Sequence, residues 1–229
     1  MLTLAVIALI LPAALHAVDR EQAPELATLS VWISLILIAV YAAYLVFSLI
    51  THKGQFEGEE IEEQQHHPEA PWTIRRAAII LAAATATIAW MSEILIAAIE
   101  PAAAELGLND MFVGVFVVAI LGNAAEHSTA VVAAMRNRMD LALGIAIGSS
   151  VQIALFVAPL LVLLSYALGP EPMDLAFSGG LVLSVTIAVW ITGQVAADGR
   201  SDWLRGVQLL AVYLILGLVF FFAPGAVAP

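Results

Sequence analysis

Cysteine is absent from the 229 residues. Without a thiol there is no disulfide framework, no thiolate nucleophile and no cysteine-ligated metal. Charge is scarce as well: Asp, Glu, Lys and Arg together make up 12% of the chain, against 62% hydrophobic residues. A soluble domain carries about a quarter charged residues because its surface faces water. Too little polar surface is present here to cover a globule, and a bilayer is the solvent that suits such a composition. Basic residues are the scarcest charges, eight Lys and Arg against nineteen Asp and Glu, for a net charge of −11. That balance excludes a nucleic-acid partner, which selects basic faces, and makes membrane lipid the first partner.

What the chain has instead is long apolar runs. Stretches near the roughly 20 residues that cross a bilayer recur at 2–17, 29–50, 77–99, 111–134, 141–166, 176–197 and 206–223. Turn and charge signals separate them: Asp19-Arg20-Glu21 with Pro24, Glu100-Pro101, Asn109-Asp110, Arg136-Asn137-Arg138, Gly169-Pro170-Glu171-Pro172 and Asp198-Gly199-Arg200. The first run is short and contains Pro12, and Leu15-His16-Ala17 has the look of a weak cleavage site, but no basic residue precedes the apolar run as a signal peptide requires. We therefore expect it to be retained.

Orientation follows from the basic residues. Lys53, Arg75, Arg76, Arg136, Arg138, Arg200 and Arg205 fall in the alternate loops 51–76, 135–140 and 198–205, and only Arg20 falls in the others. Those three loops, and with them the amino terminus, are expected in the cytoplasm of a multi-pass protein, the host being a bacterial-type plasma membrane. Three segments result: two spans in 1–50, a polar cytoplasmic segment 51–76, and five spans in 77–229. The polar segment packs Glu57, Glu59, Glu60, Glu62 and Glu63 beside His66 and His67. Phe56, Glu59, Glu60 and Glu63 have the spacing of a helical face. Crowded carboxylates repel one another and are relieved by a bound cation, while a solvated acidic linker has the same composition. Both readings are open.

Three polar positions lie inside apolar runs. In Gly122-Asn123-Ala124-Ala125-Glu126-His127-Ser128, a carboxylate at mid-membrane costs at least ~2.5 kcal/mol and needs a partner or a water-filled cavity. Asn123, Glu126 and His127 stand at i, i+3 and i+4 and share one helix face. Their amide oxygen, carboxylate and imidazole suit a hard cation such as calcium, and Gly122 loosens the helix where backbone carbonyls could join them. The alternative is a Glu–His pair joining two helices. In Gly148-Ser149-Ser150-Val151-Gln152, Ser149 and Gln152 again stand at i and i+3, as neutral ligands or supporting donors. The alternative is close packing, for which Gly144, Ala146, Gly148 and Ser149 form the small-residue surface. Glu93, after Ser92 in the third run, reads either as a second carboxylate or proton relay or as a residue near the interface.

Gly-Asn-Ala-Ala-Glu-His at 122–127, a basic turn, and Gly-Ser-Ser-Val-Gln-Ile-Ala-Leu-Phe-Val-Ala-Pro at 148–159 together resemble the second α-repeat of calcium/proton exchangers, a branch of the calcium/cation antiporter superfamily. Ser92 to Leu95 resembles the span before that repeat, Asp198 to Tyr213 the last loop and span, and Tyr41 to Phe56 the span and acidic helix that join the two halves. The resemblance implies an all-α polytopic fold of about seven transmembrane helices, the last five forming one repeat of an inverted-repeat antiporter. It implies exchange of calcium for protons at Glu126, with Asn123, Ser149 and Gln152 building the ion site, His127 linked to exchange, and Glu93 supporting the site or proton route. It implies that Glu57, Glu59, Glu60, Glu62 and Glu63 sense cytosolic calcium. Calcium is then transported cargo, no cofactor is involved, and competition for one carboxylate couples the fluxes without enzymatic chemistry.

One departure accompanies the resemblance. The first repeat of the family carries its own Gly-Asn-Ala-Thr-Glu element, and nothing in residues 1–76 resembles it. The chain is expected to supply one half of the site and to need a first-half repeat, in the same longer chain or as a separate subunit. Other readings are an exchanger of sodium or manganese, a non-transporting membrane subunit or fragment, and an intramembrane metal enzyme, for which His16 and His127 are the only intramembrane histidines.

Overall fold

The computed structural model describes residues 1–18, 23–52, 73–169, 172–197 and 201–222, and its regular elements are all helices. They are α1 (Leu2–Val18), α2 (Ala23–Val46, followed by a π-helical turn at Phe47–Thr51), α3 (Ile74–Leu106), α4 (Asp110–Gly122), α5 (Ala124–Met135), α6 (Met139–Leu168), α7 (Gly179–Ala197) and α8 (Trp203–Phe222). Each predicted apolar run falls on one of these, and the fourth falls on α4 and α5 together. Four helices are long and apolar enough to cross a membrane, α4 with α5 makes a fifth if they form one broken span, and α1 and α7 are shorter apolar helices.

Two boundaries differ from expectation. Glu100-Pro101 does not end the third span: α3 runs for 33 residues with Pro101 inside it. Proline removes one helical hydrogen bond, at ~3 kcal/mol in an ordinary helix. In an apolar medium, unwinding the chain there would leave several backbone groups unpaired, so continuing the helix is the lesser cost. At about 1.5 Å per residue, α3 is about 50 Å long, well beyond a hydrocarbon core of about 30 Å. The fourth span, read as one run that Gly122 loosens, is broken outright at the next residue, Asn123, whose φ of −102° and ψ of 16° leave the helical region.

The described chain forms two compact units. In the first, α1 packs on α2 and α7, α2 on the second half of α6, and α5 on the first half of α6. Its core joins Ala5 and Ala8 of α1, Leu37 of α2, and Val151 and Leu155 of α6. A π-helical turn at Ile153–Val157 widens α6 just before Pro159, with Ala158 N–H donating to the Ile153 carbonyl. Pro159 has no N–H to give and would crowd the carbonyl of an α-helical turn behind it, so the wider turn relieves a clash that sequence imposes. Tyr41 of α2 stacks on Phe156 in that turn, with ring centroids 5.4 Å apart.

In the second unit, which holds α3, α4 and the end of α8, Asn109 ties two helix ends together. Its Oδ1 accepts from Phe112 N–H at the start of α4 (2.8 Å), while its Nδ2 donates to the Phe220 carbonyl near the end of α8 (2.9 Å). Phe112 and Phe116 pack against Phe221 and Phe220 around that junction.

The hairpin of α5 and α6 is fixed by the basic turn. Asn137 N–H donates to the Ala134 carbonyl and Arg138 N–H to the Ala133 carbonyl, with Asn137 at φ 59°. This is a Schellman ending, in which the residue past the helix must enter the left-handed region that Gly and Asn tolerate. Asn137→Val is expected to lower stability by about 1–2 kcal/mol, because a β-branched side chain is strained there, while Asn137→Gly is expected to be neutral or stabilising. Thermal unfolding of the purified chain in detergent checks both.

Candidate ion-binding groove

α5 begins at the break. Asn123 is its N-cap residue, and Glu126 sits in its first turn. The backbone N–H groups at a helix start carry partial positive charge, so this turn favours a carboxylate. The break thus places the one acidic side chain of the fourth span where an apolar helix can best hold it. Glu126 and Asn123 are half-buried, and His127 is exposed on the next position.

Across the hairpin, α6 presents its first half. A groove of about 290 Å³ lies between the two helices, lined by Asn123, Glu126, His127 and Ala130 from α5 and by Ala146, Ser149, Ser150 and Ile153 from α6. Each set stands at i, i+3, i+4 and i+7, the spacing of one helical stripe. Both stripes are thus fully used, and the polar groups of each face those of the other.

The hydroxyls in the groove are already oriented. Ser149 Oγ and Ser150 Oγ both donate to the Ala146 carbonyl, at 3.2 and 3.0 Å. With its proton committed to the backbone, each hydroxyl oxygen keeps lone pairs for a cation. On α5, Ser128 and Thr129 donate in the same way to the Ala125 carbonyl, at 2.9 and 2.8 Å. The groove therefore collects an anionic carboxylate, an amide oxygen and two hydroxyl oxygens, all hard donors. Counting both carboxylate oxygens, the side chains offer at most five oxygens. Calcium takes about six to eight.

The structure brings together Asn123, Glu126, His127 and Ser149. Gln152 is exposed and is not among the groove-lining residues, since it stands six positions from Ala146 and off the stripe. Glu93 is an exposed residue of α3 and belongs to the second unit. Glu57, Glu59, Glu60, Glu62 and Glu63 lie outside the described residues. Ser150 was not singled out from the sequence. Extending the α6 stripe back to Ala146 would have found it, because 146, 149, 150 and 153 complete the same period as 123, 126, 127 and 130. Among the described residues no cluster of three or more His, Asp or Glu could hold a metal by itself.

The sequence pattern of the sodium/calcium exchanger protein family matches residues 76–222, which include both stripes. The Ca(2+)/H(+) antiporter of Aphanothece halophytica is 42% identical over 97% of this chain and 63% of its own length. The Ca(2+)/H(+) antiporter ChaA of Bacillus subtilis is 38% identical over 94% of this chain and 61% of its own. The crystal structure of the Ca2+/H+ antiporter protein YfkE superposes with a TM-score of 0.73 at 35% identity, covering 95% of this chain and 61% of that one. The chain thus spans about three fifths of the length of these three relatives. With helices of membrane-crossing length and a shared backbone over nearly all its residues, this integral membrane protein belongs to the sodium/calcium exchanger protein family.

Proposed function

We propose that this chain supplies one half of a calcium/proton antiporter, in which Glu126 holds calcium and protons in turn. The observation that carries this reading is the groove itself, which one carboxylate from α5 and two pre-oriented hydroxyls from α6 line together. A protonated carboxyl loses the charge that attracts calcium, so one group alternates between the two ions and couples their fluxes. No covalent step is needed, so the activity is transport and not enzymatic turnover. His127 lies on the same stripe, placed to pass or share the proton. The short supply of oxygens supports a second set of ligands from a first-half repeat. Glu93 is assigned to that shared region or to the proton route, and the Glu57–Glu63 segment to sensing of cytosolic calcium. The bias of seven basic residues in eight supports a cytoplasmic amino terminus, in a plasma membrane of bacterial type.

The test is uptake of radiolabelled calcium into acid-loaded vesicles containing the complete transporter. Uptake that persists after a protonophore collapses the pH gradient would refute proton coupling. Within that assay, Ser149→Ala and Ser150→Ala are each expected to raise the apparent calcium KM about threefold to tenfold, the worth of one neutral ligand. Gln152→Ala is expected to have the smaller effect, because its side chain stands off the groove stripe. An equal or larger effect at Gln152 would move the ion site toward the far side of α6.

A further inference from the structure

Residues 172–178 lead into α7, and their backbone is held by side chains of two other helices. Met173 N–H donates to Ser165 Oγ of α6 (2.8 Å), and Leu175 N–H donates to Ser30 Oγ of α2 (3.0 Å). Within the segment, Ala176 N–H donates to Asp174 Oδ1 and Phe177 N–H to the Leu175 carbonyl, both at 3.0 Å. Leu175 is 1% exposed and Ser30 is 0% exposed. The segment is a strap that buries Leu175 alone, and the amides of Met173 and Leu175 are held by serine hydroxyls rather than by backbone.

One turn further along α2 stands Ser34. It too is 0% exposed, and its Oγ has no hydrogen-bond partner among the described residues. Ser30 and Ser34, at i and i+4, occupy one face of α2. A helical serine usually turns its hydroxyl onto its own preceding-turn carbonyl, as Ser150 and Ser184 do here. Ser34 does not, although a buried hydroxyl normally finds a partner.

We propose that Ser34 is a second seat for the strap, so that the Leu175 amide exchanges between Ser30 and Ser34 as the strap moves by one helical turn along α2. Such a step is about 6 Å for four residues, the scale of the one-turn ratchets by which packed elements switch. Ser165 also donates to the Val162 carbonyl (2.7 Å), so its hydroxyl stays bonded when Met173 leaves. Gly179 and Gly180, where the strap enters α7, have open space where a Cβ would stand. Leu37, three residues beyond Ser34, packs on Val151 and Leu155. Val151 is the residue after Ser150, so the deeper seat adjoins the layer that backs the groove.

Hydrogen exchange of the Leu175 amide, resolved by fragmentation mass spectrometry on the chain in lipid nanodiscs, tests this without requiring transport. With two seats, Ser30→Ala keeps Leu175 protected because the strap moves to Ser34. The double variant Ser30→Ala/Ser34→Ala then exchanges at least about tenfold faster, the worth of one buried hydrogen bond. Ser34→Thr in the Ser30→Ala background keeps the protection, since the hydroxyl remains. Equal exchange rates in Ser30→Ala and the double variant would overturn the proposal and leave Ser30 as the only seat. The Val151 and Leu155 amides report an intact core, and Ser30→Cys replaces Ser30→Ala should that core loosen.

Discussion

Glu126→Gln is expected to abolish calcium-driven exchange in the complete transporter. Glutamine keeps the shape and one oxygen ligand, so α5, its first turn and the groove stay in place. What goes is the single charge on either stripe. Removing one partner of a desolvated charge pair costs about 3–5 kcal/mol, which lowers calcium occupancy by at least about 100-fold. The loss is expected to exceed that for any neutral ligand because, on the proposed reading, it also removes the proton carrier. In the unaltered protein, apparent calcium affinity is expected to fall as pH falls on the side from which calcium enters, since protonation of Glu126 would remove the charge that attracts the ion. In Glu126→Gln the residual calcium binding, measured by equilibrium dialysis, is expected to be weak and independent of pH. A variant that retains more than half of the original uptake rate into acid-loaded vesicles would show that the exchanged charge resides elsewhere.

Much of this arrangement is legible in the sequence, for a physical reason. A carboxylate in the middle of an apolar run is so costly that Glu126 announces itself, and its neighbours at i−3 and i+1 follow from helix geometry alone. The bundle is legible for the same reason, because each run of about 20 apolar residues has one solution in lipid. What is not legible depends on partners that a linear reading does not supply. Ser150 gains its place in the groove from the stripe opposite Glu126, while Gln152 stands off that stripe. Pro101 looks like a helix end by the rules of water-soluble chains, but inside α3 the alternative of an unwound backbone is worse. The strap could not be foreseen at all. Ser30, Ser34 and Ser165 are ordinary residues of apolar helices, and only the fold puts two of them beside the amides of Met173 and Leu175.

Reconstituted alone, the 229-residue chain is expected to give no calcium/proton exchange above protein-free vesicles. The groove offers at most five side-chain oxygens and one negative charge, short of the shell calcium takes from a protein. The resemblance to calcium/proton exchangers implies that the rest comes from a first repeat of opposite orientation. A second copy could stand in for that repeat only if it inserted upside down. Seven of eight basic residues fall in alternate loops, and on the proposed topology that bias gives every copy the same orientation. Two parallel copies would bring together two Glu126 residues in repeats of the same hand, which cannot rebuild an inverted pair. Adding a first-half repeat, fused or co-expressed, is therefore expected to restore exchange, and to do so only with Glu126 intact. The absence of cysteine makes the topology easy to read, because a single cysteine placed in the 135–140 loop is the one site that a membrane-impermeant maleimide can label. Strong exchange by the chain alone, with that loop labelled from both sides of the membrane, would overturn this argument and establish an antiparallel dimer.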